Sequence, residues 1–259
     1  MNSTQALDWI ARLANARDSA TRIIDHDHYP APNDAAEGYQ LALAVSDRLA
    51  WEPLGWKIAG TTEQVRRKLG VQEPIYGRTW RRFVIDSPTR FEHKQLLDPL
   101  VECEFFVTLG SSLPWREQTW TYDEVVAAVG TVQAGIEVAE CRFPTAHLPA
   151  LPLILADGAA SGRYVYGGAI DQWRDGLADV RVDLWVDGAL KRSGHGRDVM
   201  GDPLLPLLWL AEELRRLGRS LAAGEMISTG SCTGMLPVRS GQRVEARFGS
   251  GAIVNIVFD

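Results

Sequence analysis

The chain has 259 residues, 46% hydrophobic and 23% charged, with a formal net charge of −6 at pH 7. That length buries a full core in one large domain or two modest ones, and the composition excludes the disordered and low-complexity classes. The excess of acid, with no basic stripe, excludes a protein that neutralises nucleic-acid phosphates.

Three cysteines, Cys103, Cys141 and Cys232, form no C-x-x-C pair, which fits a reducing compartment better than a disulfide framework. The N-terminus runs into an amphipathic stretch rather than a signal peptide, and no window reaches ~18 uninterrupted apolar residues. A cytoplasmic protein without membrane contact is expected. The nine tryptophans read as core and interface anchors rather than as a stacking platform for nucleic acid.

In chain order, Ala6, Leu7, Ile10, Leu13 and Ala14 fall at helical spacing and predict a helix over 4–17. A polar loop rich in Asp, His and Pro follows, then a second helix over 34–50. Thr61 with Gln64 looks like a capping box for a helix over 62–69 that stops at Gly70, and Thr121 with Glu124 does the same for 122–129. The strongest helical pattern runs from Leu204 to Leu217 and closes at Gly218. Strands are expected at 54–59, 100–109, 132–139, 163–168, 178–186, 225–230, 242–248 and 252–258, with Asp187-Gly188 as a hairpin turn. There is no internal repeat and no regular βαβ alternation, so the class is mixed α+β. Residues 1–50 read as a helical cap on a body spanning 51–259, or as part of one continuous domain.

The informative segment is Leu100-Val101-Glu102-Cys103-Glu104-Phe105-Phe106-Val107. On a strand, residues two apart share a face, so Glu102 and Glu104 stand side by side among apolar neighbours. Two carboxylates in such a place repel and are costly to desolvate, and a hard dication such as Mg²⁺ or Mn²⁺ relieves both problems. Glu137, in Ala134-Gly135-Ile136-Glu137-Val138-Ala139-Glu140, interrupts a second apolar run and is a third candidate oxygen ligand. Glu-x-Glu on a strand is also a common solvent-facing pattern, so spacing alone leaves both readings open.

Several segments in order resemble the 2-oxopent-4-enoate hydratase and 4-oxalocrotonate decarboxylase group of the fumarylacetoacetate hydrolase family. They are Gly55-Trp56-Lys57-Ile58-Ala59-Gly60, the Glu102-Cys103-Glu104 motif, Ile136 to Arg142, Ala156 to Gly162, Gly194-His195-Gly196 with Met200 to Pro203, and Gly224 to Gly230. The resemblance covers nearly the whole chain. It implies twisted mixed sheets rolled around a metal site with helices outside, as in the C-terminal domain of fumarylacetoacetase.

It further implies Mg²⁺ or Mn²⁺ held by Glu102, Glu104 and Glu137, and a small 2-oxo acid chelated by that cation. The activity implied is hydration of a 2-hydroxydienoate or 2-oxo-alkenoic acid through a metal-stabilised enolate. Lys57 is then the proton shuttle, with a pKa expected to be depressed by burial near a cation; without the resemblance it reads first as the partner of a surface acid. Asp157, Ser161 and Thr229 become substrate-binding residues, although loop hydroxyls also often bond local backbone. A homo-oligomer is implied, with association to a pathway decarboxylase as an extension.

Two departures stand out. Ile75 occupies a position where hydratases of this group usually carry an acid, and Gly158 one where they usually carry Asn. Decarboxylation or C–C hydrolysis of a related 2-oxo acid is therefore an alternative, and a non-catalytic family member that serves as a binding partner is a second one.

Three other signals are weaker. Asp25-His26-Asp27-His28 looks like a metal box but has no distal partner in sequence, and reads as a lid-like loop near a pocket entrance. His195 lies between two glycines in an expected loop. Gly230-Ser231-Cys232-Thr233-Gly234 imitates a nucleophile elbow, yet all five histidines precede Cys232, the wrong order for an α/β-hydrolase.

Overall fold

Asn2 opens the first helix, α1 (Ser3–Ser19), through a reciprocal capping box with Gln5. The second, α2 (Ala35–Leu49), is capped by the Asp34 side chain. The computed structural model describes residues 1–259, the side chain of Asp175 excepted. Four further helices follow: α3 (Glu63–Leu69), α4 (Tyr122–Ala128), α5 (Leu151–Ala156) and α6 (Leu205–Arg216).

The cap of α3 lies one residue later than expected. Thr62, not Thr61, accepts from the Val65 amide, and Thr61 is buried instead. The Thr121–Glu124 box forms as expected, but α4 ends at Ala128 because the chain passes directly into a strand at Val129. The segment Leu151–Ala156, with prolines around it, carried no helical signal in the sequence analysis. It forms one turn and a half because Pro152 sits at its start, where a missing N–H leaves no bond unmade.

Thirteen strands form two sheets among the described residues. The larger sheet is built from β1 (Pro53–Ala59), β2 (Ile75–Trp80), β3 (Val84–Asp86), β5 (Leu100–Leu109), β6 (Val129–Ala139), β7 (Arg163–Ala169), β10 (Met226–Ser228) and β11 (Leu236–Pro237). Its strands run in the order β2-β1-β10-β5-β6-β7-β3, and β11 pairs with the start of β5. The smaller sheet holds β4 (Thr89–Phe91), β8 (Arg181–Val186), β9 (Ala189–His195), β12 (Arg243–Phe248) and β13 (Ala252–Phe258), in the order β4-β13-β12-β8-β9. The β8–β9 hairpin turns at Asp187 and Gly188, both with positive φ, as the Asp-Gly pair requires. Strands β2, β3, β4 and β11 were not given as expected strands; β3 and β4 have three residues each and β11 two, too short for alternation to mark them, whereas β9 is the second arm of the expected hairpin.

The main core lies between the two sheets and under α6. Val101, Cys103, Phe105 and Val107 of β5 join Ala134, Ile136 and Val138 of β6, Val244, Ala246 and Phe248 of β12, and Leu207, Leu210 and Leu214 of α6. Phe105 meets Phe248 edge to face at 5.4 Å across the sheets. Helices α1 and α2 have a separate apolar cluster, in which Trp9, Leu13, Leu41 and Val45 pack on Cys141, Phe143 and Leu153. No helix among the described residues is long and apolar enough to cross a membrane. All three cysteines are free and buried.

Candidate active site

The odd-numbered residues of β5 fill the core, so alternation sends Glu102, Glu104 and Phe106 to the opposite face. Antiparallel pairing of β5 with β6 then sets Glu102 directly against Glu137 and Glu104 against Gly135. A Cβ on Gly135 would lie 2.3 Å from the Phe106 ring, so a side chain there would displace that ring beside Glu104.

All three glutamates are buried, at 5%, 1% and 0% exposure for Glu102, Glu104 and Glu137. A solvent-facing Glu-x-Glu pair is therefore excluded. One carboxylate oxygen from each lies within 4.8 Å of the others. Glu102 Oε2 and Glu137 Oε2 are buried without a hydrogen-bond partner. Orphaned carboxylate oxygens are costly unless something positive meets them, and an all-oxygen donor set of this kind fits a hard dication.

Lys57 joins the trio from the neighbouring part of the sheet. Its strand pairs in parallel with β10, placing Lys57 beside Ser228, while Ser228 stands against Phe106 of β5. Lys57 is 1% exposed, and its Nζ lies 3.3 Å from Glu137 Oε1. One ammonium faces three carboxylates, so the site is short of positive charge.

The titration of the group follows from that shortage. Burial pushes Glu102 up to about 7, with Lys57 opposing and Glu137 reinforcing the rise. Burial and the two neighbouring glutamates raise Glu104 well above the usual carboxylate range. For Lys57, burial acts to lower the pKa, but Glu137, Glu102 and Glu104 together outweigh it and hold the ammonium above its ordinary value. The depressed value expected from the sequence belongs to an amine beside a bound cation, whose charge would offset the three carboxylates that raise it here.

The residues that hold Glu104 come from the segment around β10. Ser228 donates to Glu104 Oε2, and the Gly230 amide donates to the same oxygen at 3.0 Å. The stretch that imitates a nucleophile elbow thus begins by supplying a backbone donor to Glu104. Its Cys232 is buried, burial pushes the thiol pKa well up, and its amide donates to Cys103 O at 2.9 Å. A thiol of that kind is a poor nucleophile. Thr229 is buried, and its hydroxyl donates to Phe105 O at 3.1 Å.

On the far side of Glu137 stands Tyr164, its direct cross-strand partner on β7. The Tyr164 hydroxyl donates to Glu137 Oε1 at 3.2 Å and lies 2.8 Å from Ser161 Oγ. Ser161 therefore reaches the trio through Tyr164. Tyr164 and Ser228 were both missed in the sequence analysis, because each reads as an ordinary strand residue. Only their register against Glu137 and β5 gives them a role.

Asp157 lies behind Ser161. Its Oδ1 accepts from Arg142 Nε at 2.8 Å and its Oδ2 from the Arg142 amide at 2.9 Å, while Arg17 Nη2 sits 3.3 Å from Oδ1. Both arginines also donate to the Ser161 carbonyl, Arg142 at 2.9 Å and Arg17 at 3.4 Å. This buried cluster ties α1 to the loop that presents Ser161. Gly158 opens that loop with φ +61°, a conformation that Gly and Asn both tolerate, so the Gly158 departure preserves the backbone geometry.

Ile75 has a different consequence. It pairs with Ala59 as Gly77 pairs with Lys57, so Ile75 and Lys57 share a face of the sheet. Ile75 is buried against Leu155 and Ala159. The face beside Lys57 is therefore apolar where an acid was the usual expectation. His195 ends β9, opposite Arg181 in the smaller sheet, and its amide donates to Asp198.

Known proteins resemble this chain in sequence and in fold. The chain is 30% identical over 207 residues to the 2-keto-4-pentenoate hydratase of Paraburkholderia xenovorans (strain LB400), covering 80% of this chain and 76% of that one. It is 27% identical over 266 residues to the 4-oxalocrotonate decarboxylase of Pseudomonas putida, covering 98% of each. The structure superposes with a TM-score of 0.89 and 23% identity on 4-oxalocrotonate decarboxylase from Pseudomonas putida G7 complexed with magnesium and adipate, over 100% of this chain and 99% of that one. A fumarylacetoacetate hydrolase family protein from Yersinia pestis CO92 matches with a TM-score of 0.58 and 16% identity over 80% of this chain and 94% of that one. No family model matches the chain.

The fold is thus that of the fumarylacetoacetate hydrolase family, mixed sheets curled around a carboxylate cluster with helices outside. Within it, the chain belongs to the family of 2-keto-4-pentenoate hydratases and their decarboxylase relatives.

Proposed function

We propose that this chain is a divalent-cation-dependent hydro-lyase that adds water to a 2-hydroxydienoate or another 2-oxo-alkenoic acid. The observation that carries the reading is the pair of buried, unpartnered oxygens on Glu102 and Glu137, beside Glu104 and within reach of Lys57. Glu102, Glu104 and Glu137 would hold Mg²⁺ or Mn²⁺, whose hardness suits three carboxylates. When bound, that cation supplies Lewis-acid polarisation of the substrate's 2-oxo group and balances the charge of the trio.

The chain's own residues do the rest. Lys57, an ammonium held by Glu137, moves the proton between the substrate's carbon chain and the incoming water. Tyr164 fixes the orientation of Glu137 and shares a hydrogen bond with Ser161. Ser161 and Thr229 would turn from their bonds to Tyr164 and Phe105 O to orient the substrate's carboxylate and carbonyl oxygens. Asp157 acts from behind, bracing the Ser161 loop between Arg17 and Arg142. Residues 1–50 serve as a helical cap on the body formed by 51–259. The reading extends to a cytoplasmic homo-oligomer that associates with a decarboxylase of the same reaction sequence.

A second reading, decarboxylation of an oxalocrotonate-like diacid, is favoured by Ile75. Without an acid on the Lys57 face there is one fewer group to activate water. Mixing the protein and Mg²⁺ with 2-hydroxypenta-2,4-dienoate, and following loss of dienol absorbance with uptake of labelled water, tests the first reading. CO₂ release from an oxalocrotonate without water uptake supports the second. No turnover on either substrate with cation bound refutes both.

A further inference from the structure

Away from the glutamate trio, the fold assembles a second set of metal-ligating side chains from two segments far apart in sequence. The Asp25-His26-Asp27-His28 turn, which has no distal partner in its own neighbourhood of the sequence, meets His147 from the segment after β6. His147 Nε2 lies 2.5 Å from Asp27 Oδ2, and His26 Nε2 lies 3.4 Å from Asp27 Oδ1. The two imidazole rings stand 4.9 Å apart. One donor atom from each of His26, Asp27 and His147 falls within 4.8 Å of the other two.

A hydrogen-bonded surface cluster would not need a buried member with nothing to bond. His26 is 3% exposed, and neither of its ring nitrogens has a hydrogen-bond partner. The approach of Nε2 to Asp27 is too long and poorly directed to satisfy it. An imidazole held away from water with both nitrogens idle is an unfavourable arrangement unless a ligand completes it.

The ring is also fixed in place. It packs edge to face on Phe143 at 5.3 Å. The Ile23 amide bonds Arg142 O at 2.8 Å, and Trp9 Nε1 bonds Pro30 O at 2.8 Å, so the turn is pinned on both sides. Asp27 and His147, by contrast, have side chains 65% and 62% exposed and are free to open around an ion.

We propose that His26, Asp27 and His147 form a second cation site, selective for a borderline transition metal such as Zn²⁺. Two imidazoles and one carboxylate are the donor set of zinc sites that keep a fourth position for water, and imidazole donors disfavour Mg²⁺. The site is chemically distinct from the all-oxygen trio of Glu102, Glu104 and Glu137. It staples the turn after α1 to the segment that leads from β6 into α5.

Zn²⁺ binding to the metal-free full chain, measured by equilibrium dialysis near pH 7.5, tests the proposal. The wild type is expected to take up one equivalent at this site and a second wherever the glutamate trio also accepts Zn²⁺. His147→Ala and Asp27→Asn, both at exposed side chains, each take up one fewer, with affinity for the lost equivalent down on the order of a hundredfold or more. Glu104→Gln loses the other equivalent and keeps this one. The equivalent bound here shifts the His26 and His147 ring resonances. Unchanged uptake in both His147→Ala and Asp27→Asn, or the absence of any equivalent that survives Glu104→Gln, overturns it.

Discussion

Glu102 and Glu137 are direct cross-strand partners on β5 and β6, buried together, each with an oxygen that no protein group satisfies. An antiparallel pair of like charges is ordinarily destabilising. Here it persists at the centre of the larger sheet, one strand position from Tyr164 on one side and near Lys57 on the other.

That relationship sets the first expectation. Glu102→Gln removes one charge from a repelling cluster and one donor from the cation. The metal-free variant should melt at a temperature equal to or above that of the wild type. Added Mg²⁺ should raise the melting temperature of the wild type but not of the variant. A Mg²⁺-induced shift of the same size in both proteins would remove Glu102 from the cage.

The pH dependence of the metal-free protein follows from Glu102, whose pKa is raised to about 7. A carboxyl whose folded pKa lies above its unfolded value keeps its proton longer in the folded state. Stability is then lost as pH rises from the unfolded carboxylate pKa through about 7. The metal-free protein should be more stable to urea at pH 5 than at pH 8. Saturating Mg²⁺ should flatten the difference, because the cation competes with the proton for the same oxygens. Rising stability across that window without metal would contradict the buried, repelling trio.

Lys57→Met tests proton transfer separately from cation binding. Loss of a positioned acid or base lowers turnover by roughly 10²–10⁴-fold. Mg²⁺ affinity should be retained or increased, since a competing positive charge 3.3 Å from Glu137 is removed. Stopped-flow turnover with calorimetric Mg²⁺ titration measures both, and near-wild-type turnover would exclude Lys57 from the chemistry.

Asp157→Asn probes the brace. It leaves Arg17 and Arg142 buried without their shared anion, a change that costs about 3–5 kcal/mol in comparable buried pairs. Urea denaturation should show most of that loss. Tyr164→Phe, which removes only the bonds to Glu137 and Ser161, should cost about 1 kcal/mol.

Gly158 offers a contrast between backbone and side-chain effects. Its φ of +61° is accessible to Asn but strained for a β-branched residue. A Cβ there would lie 3.0 Å from Arg17 Nη2, which is buried and bound to Asp157, so any side chain must also displace that guanidinium. Gly158→Asn should therefore lower the melting temperature modestly through Arg17, whereas Gly158→Val, which adds backbone strain to the same contact, should lower it further. Equal tolerance of both would show that the conformation carries no strain.

Much of this architecture is legible in the order of residues. Alternation along Leu100–Leu109 places Glu102 and Glu104 on one face, and β5 forms over those very residues. The final strand, the Asp187-Gly188 hairpin and the helix ending before Gly218 are equally local decisions of periodicity and turn chemistry. Where local signals are weak, as in the short β3 and β4, pairing with a distant strand supplies the missing stabilisation and the sequence alone is silent.

The sequence by itself determined which acids share a face, where the principal helices and strands run, and the kinship with the hydratases and decarboxylases. Only the tertiary structure decided that Glu137 meets Glu102, that Tyr164 and Ser228 hold the trio, and that His147 comes to the His26 turn. The reason is the range of the forces involved. Secondary structure answers to neighbours a few residues away, whereas the protonation and pairing of a buried charge depend on every charge folded to within a few ångströms, wherever it lies in the chain.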